Sequence, residues 1–222
     1  MKMKQLFLST SILFCFIILF GSCKDNKEVK IGNQIWTSRN LDVSSFSNGD
    51  PIPEAKTEEE WRAASSNQTP AWCYLENNPA NGKKYGKLYN WYAVHDPRGL
   101  APKGWHIPNN EEWSILIEYL GGEKKAGKKL KSTSGWSEER NGSNESKFNG
   151  LPGGTRWRAG HFGAREDEAN WWSSTVINTT DDKGDSFCWE VKDHDNANDE
   201  EVAITKKDIP RGFGNSVRCV KD

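Results

Sequence analysis

The chain is short of aliphatic side chains: Leu, Ile and Val are sparse along its 222 residues. A core cannot be built mainly from layers of those residues. Net charge is also lacking, at −1 with acids and bases nearly balanced, and no basic stripe appears. That leaves no footprint for nucleic acid. No pair of cysteines has a C-x-x-C spacing, and none of the four histidines, His95, His106, His161 and His194, is spaced with another as a zinc ligand pair. A Gly-x-Ser-x-Gly elbow and a phosphate-binding loop are both missing. Internal repeats and low-complexity tracts are absent too.

What is abundant is tryptophan, with eleven, together with 20 glycines and many asparagines. Aromatic side chains bury about 150–250 Å² each. They can fill a core that aliphatics do not. The expected domain is small-layered and rich in loops, with tryptophan N–H groups hydrogen-bonded inside it.

The N-terminus reads as an address. Met1-Lys2-Met3-Lys4 is a short positive region, and Leu6 to Phe20 is an apolar run of signal-peptide length, too short for a membrane span. Gly21-Ser22-Cys23 then resembles a bacterial lipobox, with lipid on Cys23 and residues 1–22 removed. An ordinary cleaved signal peptide is the alternative. Cleavage takes Lys2 and Lys4 and no acid, leaving a net charge of −3. Residues 23–28 form a polar tether, within which Lys24-Asp25 partly resembles a surface-export signal. One domain over residues 29–222 is expected.

Val29 to Trp36 reads as a hairpin of two apolar-alternating arms around a Gly32-Asn33 turn. Thr57 and Glu60 have capping-box spacing for a short helix through Trp61 and Ala64. Ala71 to Leu75 looks like a strand, and Leu88 to Val94 is the most aromatic stretch. Asn109 and Glu112 make a second capping box. Behind it, Trp113, Leu116, Ile117 and Leu120 lie on one helical face, stopped by Gly121-Gly122. A further helix is expected over 123–131 with Ala126 and Leu130 inward. Gly153 and Gly154 allow tight turning. Trp171 and Trp172, adjacent on a strand, must face opposite sides of it. Residues 187–191, 202–204 and 216–220 read as closing strands.

Gly86 to Val94, Leu100 to Pro108 with Glu112-Trp113, Leu151-Pro152-Gly153-Gly154, Trp171-Trp172-Ser173-Ser174-Thr175 and Ser216-Val217-Arg218-Cys219 occur in order. Together they resemble the Fibrobacter succinogenes major paralogous domain family, found in lipoproteins and secreted proteins of Bacteroidetes and Fibrobacteres. The resemblance implies an α+β, C-type lectin-like fold: two helices, small antiparallel sheets, a long loop region and a hairpin joining the termini. It implies no established activity. Its cysteine pattern points to a Cys73–Cys219 bridge with Cys188 extra, whereas strand placement suits Cys188 with Cys219; the first is favoured. The same fold includes the formylglycine-generating enzyme, and Cys188 with Cys219 would mimic its paired cysteines, although the surrounding residues do not match. That is the enzymatic alternative to a non-catalytic module.

Two further groups are weighed. Asp193, Asp195 and Asp199 have part of a calcium loop's spacing, but the loop glycine and final glutamate are missing, as are the Glu-Pro-Asn and Gln-Pro-Asp tripeptides of calcium-dependent lectins. A solvated acidic loop, including the nearby Asp181, Asp182 and Asp185, is the plainer reading, and no metal or other cofactor is expected. Trp136, Trp157, His161 and Phe162 fall in segments read as loops. There they would stack on sugar rings or anchor a protein, unless they fold over the core. The expectation is a lipid-anchored module of the outer membrane, with exposure at the cell surface as an option, that binds a glycan or a surface protein, with no nucleic-acid partner.

Overall fold

Alternating apolar residues around Gly32, whose φ of +59° suits a tight turn, make the first hairpin: β1 (Glu28–Ile31) and β2 (Gln34–Thr37). The computed structural model describes residues 28–137, 140–163, 166–177, 184–192 and 202–222. The signal segment, Cys23, Asp181, Asp182, Asp193, His194, Asp195 and Asp199 lie outside the described residues.

The Thr57–Glu60 capping box opens α1 (Glu58–Ser66), which buries Trp61. β3 is only Trp72–Cys73, since Leu75 already begins a 3₁₀ turn. The one-turn α2 (Gly82–Tyr85) leads to β4 (Leu88–Asn90). Asn90 then caps α3 (Trp91–Val94) through its side chain, so the aromatic stretch is half strand and half helix. β5 (Trp105–His106) precedes α4 (Asn110–Tyr119), which starts at the predicted Asn109–Glu112 capping box and buries Trp113, Leu116 and Ile117. α5 (Glu123–Leu130) turns Ala126 and Leu130 inward.

Next come β6 (Thr155–Arg156), β7 (Phe162–Gly163), β8 (Glu168–Trp172) and β9 (Asp185–Lys192). β10 (Ile204–Pro210), β11 (Gly214–Asn215) and β12 (Val220–Lys221) close the chain. β10 runs past the expected 202–204 because β9 pairs with it from Val191 down to Asp185. The expected strand 216–220 is regular only at its end, yet it meets the N-terminal hairpin as expected: Val220 pairs with Trp36, and the Thr37 N–H donates to the Cys219 carbonyl.

The described residues are α+β, with helices set against three small antiparallel sheets of strand order β1-β2-β12-β5, β10-β9-β8 and β3-β4-β11-β6-β7. The expectation of two helices was too few, because α2, α3 and α5 add to α1 and α4.

Tryptophan does fill the interior. In the first cluster Trp113 lies 4.8 Å from Trp36, 6.1 Å from Trp171 and 6.2 Å from Trp189, ring centre to ring centre, with Phe148 edge-on. Trp172 belongs to a second cluster with Tyr89, Phe46 and Ile52. The adjacent pair therefore divides as the strand pleat requires, both side chains fully buried. The Trp171 Nε1–H donates to Asn40 Oδ1 and the Trp172 Nε1–H to the Tyr89 carbonyl, at 2.9 and 2.7 Å. Gly154, with φ +60°, bridges to Ala169 at the edge of β8.

Two buried arginines tie loops to this core with no carboxylate partner among the described residues. Arg218 donates to Asn40 Oδ1 and to the carbonyls of Thr37, Phe148 and Asn149. Burial pulls its guanidinium down to about 9, still charged at neutral pH, and those four acceptors favour the charged form further. Arg156 likewise bonds Gly160, Ala55 and Thr57 carbonyls and Asn77 Oδ1, between the rings of Trp61 and Phe162.

Candidate functional site

Nine of the eleven tryptophans are buried and Trp105 is partly so; Trp157 is the exposed one, at 48 %. It follows β6, and its N–H donates to the His161 carbonyl across the β6–β7 turn. A Cβ placed on Gly163 would stand 3.0 Å from Trp157 Nε1 and 3.1 Å from Cε2. The indole therefore lies directly over the backbone of β7, in space that only a glycine leaves free, with its remaining surface open to solvent. Beside it, His161 Nδ1 is 3.1 Å from Glu58 Oε1, both side chains more than half exposed. Phe162 turns the other way, half-buried against Arg156.

On the Trp157 side of β6, Thr155 Oγ1 lies 2.7 Å from Asn215 Oδ1. The chain segments at Gly154 and Ser216 each bridge to the free edge of β8, at Ala169 and Trp171. Asn170, carried between those bridges, therefore sits beside both Thr155 and Asn215 on one face. Across the sheet Asn170 registers with Glu190. Glu190 in turn is 2.9 Å from Lys207 and 3.7 Å from Lys192, which also reaches Glu168 at 2.6 Å. These two carboxylates and two ammonium groups balance in charge, and Glu168 leads the causes that raise Lys192 above its ordinary value. The row runs from an exposed aromatic, through a hydroxyl and two amides, to a neutral ion-pair network. Thr155 is two residues from Trp157 along the strand and one strand from Asn170, spacings of about 6.6 and 4.8 Å.

Other expected site residues fall elsewhere. Trp136 is a correction: it is buried, its Nε1–H donating to the Gly150 carbonyl and Lys131 Nζ lying 4.1 Å from its ring centre. Its polar neighbours in sequence concealed a side chain packed into the first cluster. The cysteine bridge is a second correction. Cys73, Cys188 and Cys219 are all free and buried, and the favoured pair is split between clusters, Cys73 in the third and Cys219 in the second. Burial pushes the Cys73 and Cys219 thiols up to about 12, and Cys188 higher still. Among the described residues no group of three or more His, Cys, Asp or Glu could hold a metal ion.

His106, read as structural, clamps two elements. Its Nε2 is 2.6 Å from Glu112 at the start of α4, and its Nδ1 is 2.8 Å from Asp222 beside β12. Desolvation by itself would lower its pKa, but the two carboxylates outweigh that and raise it. Thr155, Asn170 and Asn215 were missed from the sequence. The one local signal was Asn170, a lone amide inside the otherwise apolar run Ala169–Trp172.

Small antiparallel sheets around a tryptophan core, with one indole exposed beside them, define an α+β domain. The family model described as Fibrobacter succinogenes major domain matches residues 29–221, and the chain belongs to that family. No curated protein and no solved structure matches the chain.

Proposed function

We propose that the chain is a non-catalytic binding module of C-type lectin-like fold, held to the outer membrane by lipid on Cys23, that recognises a glycan through Trp157. The carrying observation is the indole laid over Gly163 and half exposed, beside the exposed His161–Glu58 pair. Ring faces of sugars are apolar and their hydroxyls polar. An exposed indole next to an exposed imidazole and carboxylate offers both kinds of contact. The lectin-like fold is supported by the C-terminal β12 set between β2 and β5, which joins the two ends of the domain. Cysteine chemistry of the formylglycine-generating type is disfavoured by the thiols, since a buried thiol whose pKa is pushed up is neither ionised nor reachable at neutral pH.

A panel of envelope and plant-wall oligosaccharides, screened against the full chain in detergent, tests the reading. Binding to at least one sugar is expected, lost in Trp157→Ala and in Gly163→Val, whose side chain would lift the indole off the strand. Retained binding in both variants overturns it. Membrane attachment is tested apart from this, since Cys23→Ala should move the protein from the detergent phase to the aqueous phase.

A further inference from the structure

The register of the first sheet sets one row of side chains across all four of its strands. Lys30 pairs with Ile35 and Lys221 with Trp105, and the Val220–Trp36 pair places Lys221 opposite Ile35. Residues directly opposite one another share a face, and their neighbours along the chain point to the other face. The inner row, Val29, Trp36 and Val220, belongs to the first cluster. The outer row is Lys30, Ile35, Lys221 and Trp105, about 14 Å long at ~4.8 Å per strand. Both lysines are exposed, and Ile35 and Trp105 are half-buried. Lys221 Nζ lies 5.7 Å from the Trp105 ring centre and 3.0 Å from Glu28 Oε2, so the first residue of β1 joins the row. Asp222, the next acid along, is engaged by His106.

We infer that this outer face is the surface on which the domain rests against an anionic phospholipid bilayer, its two ammonium groups at lipid phosphates and the Trp105 indole at headgroup depth. This rests on the lipid at Cys23 proposed above. The first argument is reach. Five peptide units separate Cys23 from Glu28, at most about 17 Å of chain. Glu28 is itself part of the row, so a lipid on Cys23 holds this face, and not a remote one, next to the headgroups. The second argument is chemistry. Tryptophan suits the membrane–water interface because it joins an apolar ring to a polar edge, and lysine lays its stem over apolar surface while its ammonium reaches outward. Lys30 and Lys221 set against Glu28 leave the row with a net positive charge, and Lys103, exposed in the turn before Trp105, adds to it. A second copy of the chain laid face to face would set like charges against each other; anionic headgroups complement them.

The full chain, reconstituted into vesicles of phosphatidylcholine alone or of equal parts phosphatidylcholine and phosphatidylglycerol, tests it. Flotation with the vesicles reports the anchor. Acetylation of lysines by an amine-reactive ester, mapped by mass spectrometry, reports the face, with Lys206 and Lys207, exposed on β10, as internal standards. In the anionic vesicles Lys30 and Lys221 should be acetylated about fivefold more slowly, relative to those standards, than in phosphatidylcholine alone, and high salt should restore the rate. Brominated phosphatidylcholine in the anionic vesicles should quench tryptophan fluorescence in the parent, and the quenching should be lost in Trp105→Phe, which keeps a ring in the half-buried place. A chain that floats but shows equal rates in the two kinds of vesicle overturns the docking face and leaves the anchor standing. Quenching that survives Trp105→Phe also overturns it, as does protection of Lys30 and Lys221 that grows with protein concentration in detergent, the sign of a second copy. A chain that does not float removes the anchor and the docking face together and leaves the glycan reading untouched.

Discussion

Replacing Trp172 by alanine separates scaffold from site. The side chain is fully buried in the second cluster, and its Nε1–H donates to the Tyr89 carbonyl at 2.7 Å. Removing about 150–250 Å² of buried aromatic surface at about 25 cal/mol per Å² costs about 4–6 kcal/mol. Losing the hydrogen bond adds about 1 kcal/mol, and relaxation of the surroundings takes some of this back. Buried Trp→Ala changes settle at about 3–5 kcal/mol. For a domain of this size, each kcal/mol shifts the melting temperature by about 2–4 °C, so a fall of about 6–20 °C is expected. Trp171→Ala should behave alike, since it is equally buried and loses a bond to Asn40. Trp157→Ala, at a half-exposed surface position, should cost under about 1 kcal/mol. The assay is a calorimetric or circular-dichroism melt of all three variants beside the parent. If Trp172→Ala melted within two degrees of the parent, the claim that tryptophan replaces the missing aliphatic core would be refuted.

Three further expectations follow from the same geometry. Because Glu112 and Asp222 raise the folded-state pKa of His106 above its unfolded value, its stabilising effect is complete below about pH 6.5 and is lost as pH rises through the folded pKa. The melting temperature should therefore fall from pH 6 to pH 8, and His106→Gln should flatten that slope; an unchanged slope would contradict the clamp. Cys73, Cys188 and Cys219 should react with a thiol reagent only after unfolding, and added reductant should leave the melt unmoved; a lower melt on reduction would reveal a bridge. Arg218→Lys keeps the charge but loses the fork that reaches four acceptors on two segments, and should cost about 2–4 kcal/mol in urea unfolding. A midpoint equal to the parent's would deny it that role.

What could be read from the sequence was what is local. The capping boxes at Thr57 and Asn109 lie within four residues, and both opened helices as expected. The Gly32 hairpin and the division of Trp171 from Trp172 follow from turn chemistry and strand pleat alone. β10 was not legible beyond its start, because Thr205 to Asp208 is a polar edge run whose strand state comes from pairing with β9. Trp136 sits among serines, glycines and asparagines, and only the fold shows that it is covered. The polar row was hidden for a stronger reason. Thr155, Asn170 and Asn215 come from three strands spread over 60 positions, and nothing in the sequence around any one of them tells of the others. Arg156 and Arg218 were unreadable as buried residues because the groups that satisfy them are backbone carbonyls, which every residue has.

The central claim is that the single exposed indole, and not the buried ones, meets the ligand. Eleven tryptophan side chains give eleven indole N–H signals in a nitrogen–proton correlation spectrum, and Trp157→Ala identifies the one that belongs to Trp157. Titrating the labelled protein with the best-bound oligosaccharide should shift that signal first and most. Shifts confined to the indoles of the buried clusters, with the Trp157 signal unmoved at saturation, would contradict the account.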